Sequence, residues 1–160
     1  IGIAPDMTVG DNLIMKNFNS KLFRRWIFQD RAAIRKNATA KIDQFAIKAG
    51  PDGNPVRYLS GGNIQKVIIA RELSEKPAVL VALYPTRGLD IGSAEYVHKV
   101  IIDGANQGMS TILISEDLDE LLKLSDEIVV MFRGRLVGCV DPQETTREEI
   151  GLLMSGEVQT

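Results

Sequence analysis

The chain has 160 residues, 44% hydrophobic and 25% charged, which is one ordinary globular domain with enough apolar material for a core. A formal net charge of −2 excludes a globally basic nucleic-acid binder, and one cysteine excludes a disulfide framework and fits a reducing cytosol. No apolar run approaches the roughly 18 residues of a membrane span, and the start has neither a basic region nor a signal-type hydrophobic core. The first residue is Ile1 rather than Met, which points to a piece of something longer.

In chain order, Gly2 and Pro5 mark residues 1–6 as loop. Thr8 is a candidate N-cap for a helix over 9–18, with Asp11 at the capping-box position. Residues 20–30 mix Lys21, Arg24 and Arg25 with Phe23, Trp26 and Phe28. Such a cluster could meet nucleic acid or membrane, but its helical spacing reads as a half-buried helix with solvated arginines. A further helix follows over 31–48, with Ala33, Ile34, Ala38, Ile42, Phe45 and Ala46 apolar. Ala49-Gly50-Pro51-Asp52-Gly53-Asn54-Pro55 then stops it.

Next comes Leu59-Ser60-Gly61-Gly62-Asn63-Ile64-Gln65-Lys66-Val67. Ile64, Val67, Ile68 and Arg71 recur at helical spacing, so a helix runs from about Ser60, its N-cap, to near Ser74. Gly61 and Gly62 carry no Cβ, so another molecule can approach the backbone. The free N–H groups and the positive dipole end of such a turn accept an anion, most naturally a phosphate. Read on Ser-Gly-Gly alone, the plainer alternative is a capped surface helix.

The remaining pattern alternates strand and helix. Val79-Leu80-Val81-Ala82-Leu83 is a continuous apolar run, expected as a strand buried on both faces. A loop at 85–90 and a helix at 93–106, with Val97, Val100 and Ile101 inward, lead to a second buried strand at 111–114. Residues 117–124 form a short helix, and 128–132 a third strand. Arg133-Gly134 turns the chain into a fourth strand over 136–140, making a hairpin. Thr145 or Thr146 caps a last helix; Thr146 has Glu149 at N3. Cys139 lies in an apolar run and reads as a small core residue. His98 has no metal-ligand spacing and reads as structural or solvated. Glu116, Asp117, Asp119 and Glu120 read as a solvated helix N-terminus. The whole is an α/β chain with a parallel sheet, an N-terminal helical part and a C-terminal hairpin.

Residues 59–67 resemble the signature motif of ATP-binding-cassette ATPases, in the LSGGNIQK form of bacterial simple-sugar and nucleoside importers. Pro85-Thr86-Arg87-Gly88-Leu89-Asp90 is similar to the importers' D-loop pattern, and Ile114-Ser115-Glu116-Asp117-Leu118-Asp119-Glu120-Leu121 to the switch region of their second cassette. The resemblance covers nearly the whole chain. It implies a P-loop NTPase-like fold, with a helical signature subdomain over 1–57 and the C-terminal part of the ATPase core over 58–160. It also implies that Leu59, Ser60, Gly61, Gly62 and Gln65 close over ATP held by a partner cassette, with Gly88, Leu89 and Asp90 as D-loop.

Three departures accompany it. The strand positions that carry Asp-Glu in working cassettes hold Leu83 and Tyr84. Leucine has no oxygen for Mg²⁺, and tyrosine, with a pKa near ~10, is a poor base at neutral pH. Glu116 stands at the switch histidine and would repel a γ-phosphate. No G-x-x-x-x-G-K-[ST] phosphate loop occurs; the resemblance places it upstream of Ile1. The expected role is therefore the latter part of a second, degenerate cassette, inactive alone, with ATP and Mg²⁺ used by the full transporter and not bound tightly here. Its expected partners are the N-terminal cassette of the same polypeptide, transmembrane permease subunits and ATP, with no nucleic acid and no metal site of its own. Its place is cytoplasmic, peripheral on the inner face of the bacterial membrane. Competing readings are a non-catalytic structural module and a soluble cassette ATPase outside transport.

Overall fold

The computed structural model describes residues 2–49 and 54–156. Ile1 and the Gly50-Pro51-Asp52-Gly53 part of the expected breaker loop lie outside them. The chain divides into two compact units: Ile1–Ala78 with Thr86–Val97, and Val79–Pro85 with His98–Thr160.

The first unit starts with an entry loop held by Asn12, a fully buried side chain on α1 (Val9–Leu13). Its Oδ1 accepts the Ala4 amide at 2.9 Å, and its Nδ2 donates to the Ala4 and Thr8 carbonyls at 3.0 Å each. Thr8 caps α1 as expected, its Oγ1 accepting the Asp11 amide at 3.1 Å. The helix is shorter than the 9–18 expectation, because backbone bonding tightens to i→i−3 at Met15, Asn17, Ser20 and Phe23.

Residues 20–30 are not a helix. They form a minimal antiparallel hairpin of β1 (Arg24–Arg25) and β2 (Phe28–Gln29), turned by Trp26 at φ 60°. Three aromatics and two arginines in so short a stretch satisfy either period, and the left-handed turn at Trp26 selects the hairpin. Only Phe23 of this segment is buried, with Ile14 and Ile34.

Asp30 caps α2 (Arg31–Gln44), accepting the Ala32 and Ala33 amides. A short 3₁₀ turn at Val56–Tyr58 leads into α3 (Gly61–Leu73). Val9, Leu13, Ala38, Phe45, Ile47, Val56, Val67 and Ala70 form this unit's main core. α3 thus stands on a packed base, and its N-terminal turn is left at the surface.

In the second unit β3 (Val79–Leu83) pairs in parallel with β4 (Ser110–Ile114), Leu83 opposite Ile114. α4 (Ile91–Asn106) leads into β4 and contributes its residues from His98 onward to this unit. α5 (Leu118–Leu124) is capped by Asp117, whose side chain accepts the Asp119 and Glu120 amides. β5 (Ile128–Phe132) and β6 (Arg135–Val140) form the expected hairpin, with a register shift at Val130/Met131. α6 (Arg147–Ser155) begins with the expected capping box of Thr146 and Glu149. Ile128, Val130 and Ile150 are its buried core, with Leu118, Leu121 and Leu153 against them.

Two burial expectations fail here. β3 and β4 are not buried on both faces: Val79, Val81, Leu83, Ile112 and Ile114 are exposed, while Leu80, Ala82, Thr111 and Leu113 are half-buried. A continuous apolar run supplies both faces of a strand, and this two-stranded ladder has one face open. Cys139 is exposed rather than in the core, because it pairs with the outward-facing Val129 across the hairpin. A hydrogen bond to the Glu127 carboxylate pushes its thiol up from the ordinary cysteine range.

Candidate phosphate-facing turn and degenerate strand ends

The first locus is the start of α3. Leu59 closes the 3₁₀ turn, its amide donating to the Val56 carbonyl at 2.9 Å, and its side chain packs on the main core. Ser60 has the extended backbone of an N-cap, φ −66° and ψ 157°, but its hydroxyl does not cap the helix. It accepts instead from Asn63 Nδ2 at 2.8 Å, while Asn63 Oδ1 accepts the Lys48 amide at 2.7 Å. Ser60 thus takes the expected N-cap position, but its hydroxyl bonds the Asn63 side chain and not a first-turn amide. The first-turn N–H groups of α3 therefore have no side-chain cap.

The two glycines differ. Gly61 is exposed, and a Cβ added there would meet nothing within 4 Å. Gly62 is buried, and a Cβ there would overlap Ser93 Oγ and come within 2.9 Å of Ser93 Cβ and 3.6 Å of Asp90 Oδ2. Gln65 is half-buried one turn on. Lys66 is fixed by the Ala46 carbonyl at 2.9 Å and lies 4.5 Å from the Tyr96 ring centroid.

The loop at 86–90 belongs to the same unit. Gly88 has φ 73°, a left-handed position that glycine takes without strain. The Leu89 amide donates to the Thr86 carbonyl at 3.1 Å. Asp90 holds the start of α4: its Oδ1 accepts the Ser93 amide at 2.9 Å and its Oδ2 accepts the Ser93 hydroxyl at 2.8 Å. These bonds, the hydroxyl first, hold the Asp90 carboxyl below the usual carboxylate range.

The second locus is the C-terminal end of β3 and β4. Leu83 and Ile114 are paired there, the Tyr84 amide donates to the Ile114 carbonyl at 2.8 Å, and Glu116 follows two residues later. Tyr84 sits at φ 47°. The three positions expected to be degenerate are thus gathered at one strand end, where ligands of open α/β sheets bind. The donor set there does not suit Mg²⁺: Leu83 offers no oxygen. Among the described residues no group of three or more His, Cys, Asp or Glu is placed to hold a metal ion.

Sequence reasoning missed two partnerships. Ser93 was read only as the start of a helix, yet it joins Asp90 to Gly62. Glu120, expected to be solvated, is 2% exposed and hydrogen-bonded to His98 Nε2 at 2.9 Å. His98 is accordingly structural, not solvated. Asp119 meets Arg147 at the surface.

No family model matches the chain. Its sequence is 39% identical over 158 residues to a guanosine import ATP-binding protein of Bacillus subtilis, covering 99% of this chain and 31% of that protein. A nucleoside import ATP-binding protein of Lactococcus lactis is 37% identical over 97% of this chain and 31% of its own length. A glucose import ATP-binding protein of Haloferax volcanii is 40% identical over 97% of this chain and 28% of its own. Along nearly its whole length the chain is homologous to import ATP-binding proteins. It spans about a third of the length of these relatives, which are sugar and nucleoside import ATP-binding proteins. The cassette fold is shared with a nucleotide-free ATP-binding cassette from an ABC transporter, at TM-score 0.70 and 24% identity over 97% of this chain and 63% of the other. A dimeric bacterial ABC transporter cassette matches at TM-score 0.69 and 20% identity over 88% of this chain and 59% of the other. The P-loop NTPase-like α/β fold is thereby established. Among the described residues of this chain, no helix is long and apolar enough to cross a membrane.

Proposed function

We propose that the chain is part of the ATP-binding subunit of an importer for simple sugars or nucleosides. In this reading it presents Leu59, Ser60, Gly61, Gly62 and Gln65 to the γ-phosphate of ATP held by a partner cassette, the N-terminal cassette of the same polypeptide. The observation that carries it is the start of α3, where uncapped first-turn amides stand beside an exposed glycine with open space around it. An anion there gains hydrogen bonds and the helix dipole without displacing any side chain. Gly88, Leu89 and Asp90 would serve as the D-loop of the same interface.

ATP fits this turn as a terminal phosphate offered from outside. When bound it would supply the anhydride whose cleavage drives transport. Mg²⁺ finds no ligand at Leu83 and Tyr84, so this chain by itself does not hydrolyse ATP. Its residues bind and orient a phosphate, and the reacting groups come from the partner.

The helical subdomain, residues 1–57, would face transmembrane permease subunits at the inner side of a bacterial membrane. Support comes from the hairpin at 24–29, which exposes Trp26 at 82% together with Leu22, Ile27 and Phe28, beside Arg24 and Arg25. Exposed aromatics next to arginines suit protein contacts. Trp26→Ala in the full transporter should reduce co-purification of the permease; unchanged assembly and uptake would refute this surface.

The in-trans role is tested by photolabelling the full transporter with an ATP analogue carrying its reactive group on the γ-phosphate. Label is expected within 59–65 and should vanish when the partner cassette's phosphate-loop lysine is removed. Label at 59–65 that survives this change, or no label there at all, would defeat the reading.

A further inference from the structure

The two signature glycines have unlike surroundings, and the difference comes from a residue outside either motif. Ser93, in the first turn of α4, is held by Asp90 at two points, amide and hydroxyl. The amide bond fixes the Ser93 backbone and the hydroxyl bond holds its side chain in one rotamer. The fixed hydroxymethyl group then lies against the Cα of Gly62, so close that a methyl group at 62 has no place. Gly61, its neighbour, touches nothing on that side.

We propose that Ser93, locked by Asp90, is a positioning residue for the signature turn: it is the seat on which Gly62 rests, and it sets where the first turn of α3 begins and how far Gly61 stands out. The inference rests on the proposed in-trans role for its functional meaning and on packing alone for its geometry. A serine suits the position because its side chain is short enough to lie under a Cα and polar enough to be pinned by a carboxylate. Asp90 thus has a second task beside its place in the D-loop. Loop 86–90 and the start of α3 are fastened together, so displacement of one carries the other. Packed cores shift between discrete arrangements and do not deform smoothly, so such a seat passes on motion and does not absorb it.

The test is a compensating pair in the full transporter, read by amide hydrogen exchange at 64–67, where the helical amides are bonded, and by steady-state ATPase. Gly62→Ala puts a methyl group into Ser93; exchange at 64–67 should rise and ATPase fall roughly tenfold, the scale of a coupled contact pair. Ser93→Gly removes both atoms that the methyl group meets. The double variant Gly62→Ala/Ser93→Gly should recover protected amides and most of the ATPase. A Ser93→Ala rescue should be partial, because the Ser93 Cβ, 2.9 Å from the added methyl, remains. Failure of Ser93→Gly to rescue, or no effect of Gly62→Ala, overturns the seat. The γ-phosphate photolabel reports separately. If exchange is rescued while 59–65 never takes label, the seat stands and the in-trans reading falls; if label forms but rescue fails, the reverse holds.

Discussion

The start of α3 and the C-terminal end of β3–β4 are the two places in this chain where cassette chemistry would meet a nucleotide, and they have gone opposite ways. At α3 what is needed is backbone: free amides, a glycine that nothing covers, and a seat for its neighbour, all of them present. At the strand ends what is needed is an Asp-Glu pair and a donor toward the γ-phosphate, but Leu83 has no oxygen for a cation, Tyr84 is a poor base, and Glu116 sets a carboxylate where the donor should be. A segment that serves a partner's nucleotide can keep its geometry after losing the groups that would serve its own. The backbone requirement is also harder to lose gradually, since one methyl group at Gly62 already collides with Ser93.

The comparison can be broken first at the glycines. Gly62→Ala is expected to lower stability by about 1–3 kcal/mol through overpacking against Ser93. Gly61→Ala, at an open helical position, is expected to raise it by about 0.4–1 kcal/mol by restricting the unfolded chain. Thermal melts of the two variants should move in opposite directions, and equal shifts would erase the distinction between the glycines. A smaller effect is expected at the strand ends. Leu83→Asp with Tyr84→Glu restores the acids, yet no phosphate loop in this chain brings nucleotide to them. Phosphate release should stay at the blank. Because Leu83 is 61% exposed, stability should change by no more than about 0.5 kcal/mol. Release that stays with the purified double variant, or a large loss of stability, would contradict this.

Much of this was legible in the sequence, for identifiable reasons. α2, α4, α5 and α6 declare themselves by their apolar period, although α2 stops at Gln44 and not at 48, because Ala46 turns left-handed at φ 47°; the Thr146–Glu149 box forms as its spacing requires. The β5–β6 hairpin follows from Arg133-Gly134, where Gly134 takes φ 77°. The segment at 20–30 was not legible, because its aromatics and arginines fit a helix as well as a two-residue hairpin, and only the backbone at Trp26 separates the two. The open face of β3–β4 was not legible either, since an apolar run shows what could be buried and not what covers it. Cys139 fails for the same reason. At the site, the motif letters located the turn. The division of labour between Gly61 and Gly62, and the bonding of the Ser60 hydroxyl to Asn63, depend on contacts with Ser93 and Lys48 that no local pattern reveals.

The central claim is that α3 offers its N-terminal turn to a phosphate held elsewhere, and the substitution Gly61→Asp meets it most directly. The side chain has open space, and an acid in the first turn of a helix is locally favourable, so the thermal melt of the full transporter should be nearly unchanged. The same carboxylate would stand against a phosphate in a water-poor interface, so steady-state ATPase should fall by about a hundredfold or more. An unchanged melt with ATPase lost is the predicted result; wild-type ATPase in Gly61→Asp would contradict the account.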